Sequence, residues 1–430
     1  MKYYSLNGKA SEVNFRNALI KGLAEDKGLY FPKSIQKLPE EFIENIHSFT
    51  EQEIAFTIIK QFIGDEIPDS VLKQIIEETL NFDFPFVDIE ENIKTLELFH
   101  GPTMAFKDVG ARFMARCLGY FNKDNNQEVT VLVATSGDTG GAVASGFLGV
   151  KNVKVVILYP SQKVSEVQEK QLTTLCKNIY ALEVEGTFDD CQAMVKKAFL
   201  DDSITSIKQL TSANSINIAR WLPQIFYFFF AFKALKGNNK KVVFSVPSGN
   251  FGNICAGLMA KKLGLPIHQF IASTNANDII PKFIQTGDYH PLPSVQTISN
   301  AMDVGDPSNF IRIQKIYNND FDALKKDLLS YSFTDDETRR AMLHLYKNCN
   351  YISDPHGAVG YLGLKKYEIH NDTIGIFLET AHPVKFLDVV EPIINKSIEY
   401  PEQIQSVMTE TKVATFIHSY DELKSFLLNN

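Results

Sequence analysis

Apolar residues follow two different rhythms along the chain. Over about the first 95 residues they recur at helical spacing, which predicts amphipathic helices over 12–22, 50–62 and 69–81. Thr50 and Glu53 have the spacing of a capping box. Between the first two helices, Gly28-Leu29-Tyr30-Phe31-Pro32 predicts a short extended piece stopped by proline. From about residue 100 the rhythm changes, and short β-branched runs alternate with helical stretches. The predicted strands are 129–134, 153–159, 179–184, 242–246, 267–273 and 373–378. Most lack strict polar alternation, the pattern of strands covered on both faces. Strand then helix, repeated, predicts an α/β fold with right-handed crossovers and parallel or mixed sheets flanked by helices. Such sheets bind ligands beyond the carboxyl ends of their strands. Residues 386–430 predict a helix, a short strand within 406–417 and a final helix. The polar-to-apolar transition over 88–98 marks a boundary. The expected division is an N-terminal domain over 1–95, a catalytic α/β core of two subdomains over 96–385, and a C-terminal segment, 386–430, packed on that core.

A length of 430 residues agrees with two or three domains at about 150 residues each. With 43 basic and 51 acidic residues the net charge is −8, so the chain is not built to cover a phosphate backbone, and no nucleic-acid partner is expected. The five cysteines are odd in number, widely spaced and without a CxxC, which fits reduced thiols in the cytoplasm and excludes a zinc ribbon. The opening Met-Lys-Tyr-Tyr-Ser-Leu-Asn has no apolar stretch, so no secretory leader is expected. The most apolar run, from Trp221 to Phe232, is too short to span a bilayer and contains Pro223 and Gln224; it predicts a buried helix and no membrane partner. The histidines show no H-E-x-x-H or other ligand spacing, so no metal site is expected.

Two glycine-rich loops follow predicted strands. Thr135-Ser136-Gly137-Asp138-Thr139-Gly140-Gly141 follows 129–134, and Pro247-Ser248-Gly249-Asn250-Phe251-Gly252-Asn253 follows 242–246. Both lead into helical patterns, 142–147 and 254–262. Glycine lets successive N–H groups turn toward one centre, and a helix N-terminus adds its positive dipole end, which together make an anion cradle. One such loop is as readily an ordinary strand–helix turn; two in one α/β chain point to phosphate or carboxylate. Neither is G-x-x-x-x-G-K-[ST], nor G-x-G-x-x-G with an acid about 20 positions on, so a monophosphate without an adenosine handle fits best.

The segment His100-Gly101-Pro102-Thr103-Met104-Ala105-Phe106-Lys107-Asp108 joins a turn to a helix that continues through 109–118. Lys107 falls in the first turn of that helix, behind Ala105 and Phe106. A positive helix end and an apolar wall disfavour ammonium, the setting in which an amine becomes a Schiff-base nucleophile. The ordinary alternative is a solvated lysine paired with Asp108.

These residues converge on a family. His100 to Asp108 resembles the lysine-bearing motif of threonine synthases, pyridoxal-phosphate enzymes of fold type II, the tryptophan-synthase-β type. Ser136 to Gly140 is similar to their S-G-D-T-G loop, and Gly249 to Asn253 to their G-N-F-G-N phosphate loop. The stretch from Phe15 to Pro32, with Gly22-Leu23-Ala24 and Asp26-Lys27-Gly28-Leu29-Tyr30, resembles their amino-terminal domain. Further matches are Lys163-Val164-Ser165, Ser215-Ile216-Asn217-Ile218-Ala219-Arg220, Asp354-Pro355-His356 and Thr380-Ala381-His382-Pro383. Each string is short; their order and spread over nearly the whole chain make the resemblance specific.

The resemblance implies that Lys107 holds pyridoxal 5'-phosphate in a Schiff-base linkage and that Gly249, Asn250, Phe251, Gly252 and Asn253 bind its phosphate. Asp138 stands where related enzymes carry asparagine beside the ring substituents, with a helix N-cap as its simpler role. Thr380 is expected to face the ring nitrogen. The implied substrate is O-phosphohomoserine, converted with water to threonine and phosphate, by a monomer or a homodimer. Thr103, Ser136, Gly137 and Thr139 are then expected near the substrate, the last three suiting its carboxylate. Lys163, Ser165, Asn217 and Arg220 suit its phosphate, with Arg supplying a planar fork and Lys a point charge. Arg112 is a weaker candidate, since five positions past Lys107 is roughly 140° round an ideal helix. Serine or threonine dehydratase, sulfhydrylase or an idle phosphate-ligand-binding relative are the alternatives on the same fold.

Overall fold

The computed structural model describes residues 1–123 and 127–430. Its strands are β1 (Tyr3–Ser5), β2 (Tyr30–Pro32), β3 (Phe86–Glu90), β4 (Ile93–Glu97), β5 (Val129–Ala134), β6 (Val153–Pro160) and β7 (Ile179–Val184). They continue with β8 (Gln209–Thr211), β9 (Lys241–Pro247), β10 (Ile267–Thr274), β11 (Leu328–Ser332), β12 (Thr373–Glu379) and β13 (Thr415–Ile417). All six predicted core strands are present, two with identical bounds and four longer by one or two residues. They are shared between two sheets. One has the order β11-β10-β9-β12-β4-β3, parallel except for the β3–β4 hairpin. The other, β13-β7-β6-β5-β8, is parallel throughout. β1 and β2 pair antiparallel by themselves.

The hairpin β3–β4 runs through the stretch 88–98, and its second strand joins the sheet beside β12. Strands β8 and β11 carry no β-branched run and lie at sheet edges, where pairing with β5 and β10 supplies what their own propensity lacks. The tail holds one helix more than expected: Leu387–Ile394, Glu402–Thr409 and Tyr420–Asn429 surround β13.

The N-terminal helices form where expected, as Phe15–Lys21, Glu51–Ile63 and Asp69–Thr79. The Thr50–Glu53 capping box closes in both directions. One continuous apolar cluster then joins this region to the sheets. Phe31 stacks on Trp221 with centroids 5.9 Å apart, and the buried Arg312 covers the indole at 4.7 Å while donating to Tyr30 O at 3.1 Å.

The apolar run around Trp221 folds as Ile218–Trp221, a 3-10 turn and the helix Ile225–Ala234, with apolar side chains buried all round it. Among the described residues no helix is long and apolar enough to cross a membrane. Phe228 is fully buried, its ring centroid 5.1 Å from Phe244 of β9 and 5.7 Å from Phe270 of β10. Phe228→Ala opens a cavity between this helix and the sheet. It is expected to cost about 3–5 kcal/mol, read as a lower urea midpoint at unchanged slope; a loss under about 1 kcal/mol would refute this packing.

Candidate active site

The carboxyl ends of four parallel strands, drawn from both sheets, face one cleft. β4 leads to Lys107, β5 to Ser136 and Thr139, β9 to residues 249–253 and β12 to Thr380. The cleft encloses about 910 Å³ out to its mouth. Residues 300–304, Asn214, Ser215, Arg220 and His356 complete its wall.

Lys107 is the first residue of the helix Lys107–Asn122. The segment before it bonds across to the end of β12. Phe106 N–H donates to Thr380 O at 2.8 Å, His382 N–H to Met104 O at 3.1 Å, and Ala105 bridges Ala381. These contacts hold the amine in the cleft with its side chain 18% exposed, 3.9 Å from Asp138 Oδ2. Burial pushes the amine below the ordinary lysine range; Asp138 opposes this, and Lys385 and Arg220 add to it. The Asp108 alternative fails: Asp108 is buried and turned back to accept from Thr103 N–H and Oγ1.

Asp138 opens the helix Asp138–Phe147, which Gly137 caps. It is therefore not an N-cap, the simpler role the sequence allowed. Its Oδ1 accepts from Lys385 Nζ at 2.8 Å and Gln168 Nε2 at 2.9 Å. Burial would raise its pKa, but Lys385, Lys107 and these bonds hold the carboxyl well below the usual range. Gly137 has φ +135°, and a Cβ there would overlap the Gln168 amide.

In the second loop Phe251 takes a left-handed conformation, φ 60°, and caps the helix Gly252–Lys262. The N–H groups of Asn250, Phe251 and Gly252 have no acceptor among the described residues. Three free amides at a helix start, facing a cleft, form a fitting cradle for a monophosphate.

Behind Thr380 lies a buried acid pair. Ser353 Oγ donates to Glu379 Oε1, while Glu379 Oε2 and Asp354 Oδ2 have no donor among the described residues. Burial and the Asp354 charge push Glu379 well above the usual carboxylate range. Asp354 bonds His356 Nδ1, whose Nε2 accepts from Ala301 N–H at 3.2 Å. That assigns His356 the Nδ1–H tautomer.

Lys107, Ser136, Thr139, Arg220, Thr380 and residues 249–253 thus line the same cleft. Five other predicted substrate residues do not reach the cleft, and Gly137 stands behind it. Arg112 donates to Glu78 O and Asn81 Oδ1, tying its helix to the N-terminal region. The Asn217 amide is spent on Leu19 O and Ser212 O at 2.9 Å each. Thr103 serves Asp108, and Ser165 caps the helix Glu166–Thr173 while bonding the Gln168 that reaches Asp138. Lys163 is exposed and acts on Asp190. The stretch 281–309 supplies cleft wall at 300–304 and is tied back by Asn275 to Thr297 and Asp303 at 2.8 and 2.9 Å.

Lys385 was missed, although it follows Thr380-Ala381-His382-Pro383 by two residues. A lysine in a mostly apolar string was the only signal. Gln168 showed only as the third helical residue after a serine. Among the described residues, Glu90, His344 and Cys349 bring metal-type donor atoms within 4.8 Å of one another. Glu90 is already bonded there by Tyr361 Oη and Lys365 Nζ, and the group lies outside the cleft.

Fold, lysine and amide cradle define a pyridoxal-phosphate-dependent enzyme, and residues 93–379 match the family described as pyridoxal-phosphate dependent enzyme. Residues 2–80 match threonine synthase N terminus, and 357–427 match threonine synthase, C-terminal. Threonine synthase from Buchnera aphidicola subsp. Baizongia pistaciae is 45% identical over 434 residues, covering 100% of both chains. The crystal structure of threonine synthase from Escherichia coli matches with a TM-score of 0.94 at 41% identity, covering 100% of both chains. Pyridoxal-phosphate-bound threonine synthase from Brucella melitensis matches at 0.93 and 34% identity, covering 100% of this chain and 99% of that one. The chain belongs to the threonine synthase family. The full-length relationship does not favour the dehydratase or idle alternatives.

A Cβ on Gly249 would stand 2.8 Å from Met302 Cα and 2.9 Å from Ala301 O, both backbone atoms of the opposite wall. Gly249→Ala is expected to weaken pyridoxal-phosphate binding at least tenfold with little change in the unfolding midpoint of the cofactor-free chain. Equilibrium dialysis checks it, and wild-type affinity would refute the role given to this loop.

Proposed function

We propose that the chain converts O-phosphohomoserine and water to threonine and phosphate. The observation that carries this reading is Arg220. It lines the cleft, is buried, takes part in no ion pair among the described residues, and has Nε without a partner. Its Nη1 donates to Ala213 O at 2.5 Å, and burial pushes it down to about 10. A buried guanidinium facing a cleft with no counterion is matched to an anionic ligand. The amide cradle at 250–252 serves the cofactor's phosphate, so Arg220 is left for a second anion.

The overall chemistry takes protons from Cα and Cβ, expels phosphate from Cγ, returns a proton to Cγ to form the methyl group, adds the hydroxyl of water at Cβ and restores the Cα proton, the other proton of water leaving with phosphate. When bound, pyridoxal phosphate supplies an electron-withdrawing ring joined to the substrate amine. The chain supplies the rest. Lys107 would remove the Cα proton and later return it; an amine below the ordinary lysine range suits both directions. Ser136 and Thr139 offer neutral donors to the α-carboxylate. Thr380 offers the ring nitrogen a hydroxyl, which does not force protonation as a carboxylate would. All five cysteines are unpaired, which supports a reducing, cytoplasmic setting.

Incubation with O-phosphohomoserine is expected to release phosphate and threonine in equal amounts; keto acid from serine or threonine, without phosphate-dependent turnover, would overturn the reading. Lys107→Ala is expected to abolish both turnover and the visible band of the bound cofactor. Arg220→Met is expected to lower kcat/KM by about ten- to a hundredfold, the worth of one charged hydrogen bond, with cofactor affinity retained.

A further inference from the structure

Two lysines share one carboxylate at the base of the cleft. Lys385 is 0% exposed and its ammonium meets two oxygens, Asp138 Oδ1 at 2.8 Å and Thr103 O at 2.8 Å. Both side chains are buried, so each is the nearest countercharge of the other. Gln168 takes the remaining capacity of Oδ1, at 2.9 Å. Lys107 faces Oδ2 at 3.9 Å, beyond hydrogen-bonding distance. Thr103 is pinned in turn, donating to Asp108 through N–H and Oγ1 and accepting from Gln171 at 3.1 Å, so the Lys385 ammonium cannot follow a shift of Asp138.

We infer that Lys385 is a positioning residue: by engaging Asp138 in a buried ion pair it denies that carboxylate to Lys107 and keeps the Lys107 amine neutral and nucleophilic. Without the Lys385 charge, Asp138 would be the sole counterion of Lys107 and would favour its ammonium form. The remaining charged groups around the cleft do not replace it. Arg220 carries the same sign as Lys385, Asp108 is turned to Thr103, Asp303 is bonded within its own loop by Thr297, and His356 is committed to Asp354 and Ala301. The role assigned here rests on Lys107 being the reactive amine of the reading above, but not on the identity of the substrate.

The test measures the acetylation rate of Lys107 against pH in the full-length, cofactor-free chain, read by peptide mass spectrometry. Lys385→Met is expected to raise the midpoint by about one unit or more, so that labelling near neutral pH slows about tenfold. Lys385→Arg keeps the charge and is expected to keep the wild-type midpoint. Asp138→Asn with Lys385→Met removes both charges and is expected to bring the midpoint to the wild-type value or below. This double variant leaves no unpaired buried ion, so it remains informative if Lys385→Met alone does not fold. An unchanged midpoint in Lys385→Met, or a double-variant midpoint above wild type, would overturn the inference. A merely structural role would lower stability and leave every midpoint in place. Because labelling needs no substrate, a shifted midpoint in a chain that does not turn over O-phosphohomoserine would sink the proposed reaction and leave this inference standing.

Discussion

The site depends on a short backbone clamp. Residues 104–106 and 380–382 are far apart in sequence, yet Phe106 N–H bonds Thr380 O, His382 N–H bonds Met104 O, and Leu98 N–H bonds Glu379 O just before them. These three bonds seat the segment that carries Lys107 against the end of β12. Tyr227 closes the clamp from the apolar helix by donating to Phe106 O. A helix starting freely at Lys107 would leave its amine in water, with the pKa and the reactivity of an ordinary lysine. Pinned to a buried strand, the amine is desolvated and aimed at the loops after β5 and β9. The apolar core behind β9, β10 and β12 makes that placement rigid, since close-packed interiors transmit position rather than absorb it.

The electrostatics follow from the same burial. The cleft and its floor hold two cationic side chains, Lys385 and Arg220, the desolvated amine of Lys107, and one strongly acidic carboxylate beside them, Asp138. Asp108, Glu379 and Asp303, three further acids around the cleft, are each pushed toward their neutral forms by burial. Unpaired helix amides add further positive potential after β9. The chain as a whole is acidic, with a net charge of −8, so this local excess is built by the fold and not by composition. An anionic cofactor and an anionic substrate complete the balance that the protein alone leaves open.

Some of the site was legible because it is local. The amide cradle at 249–253 and the lysine at the head of its helix are each written within nine or fewer consecutive residues, where chain geometry leaves little freedom. Residues predicted one by one for the substrate fared differently. Asn217 and Arg112 have suitable chemistry, but their side chains meet Leu19 O and Glu78 O, partners 198 and 34 positions away respectively. A polar side chain satisfies the nearest buried backbone group, and that group is chosen by packing between distant segments. Lys385 shows the converse. Nothing about a lysine after His382-Pro383-Val384 marks it as internal; it is buried because the 3-10 turn Pro383–Phe386 docks on the Thr103 turn and the Asp138 helix.

The strands of the core, the helix starts and the two glycine-rich turns were determined by the sequence itself, because β-branched runs, caps and glycines act over a few neighbouring residues. Division of those strands between two sheets was decided only in the folded chain. So were the recruitment of the weak edge strands β8 and β11, the choice of which cations face the cleft, and the sharing of one carboxylate by two lysines. Each of these is a contact between segments tens to hundreds of residues apart, and its free energy exists only once the core has brought both sides together.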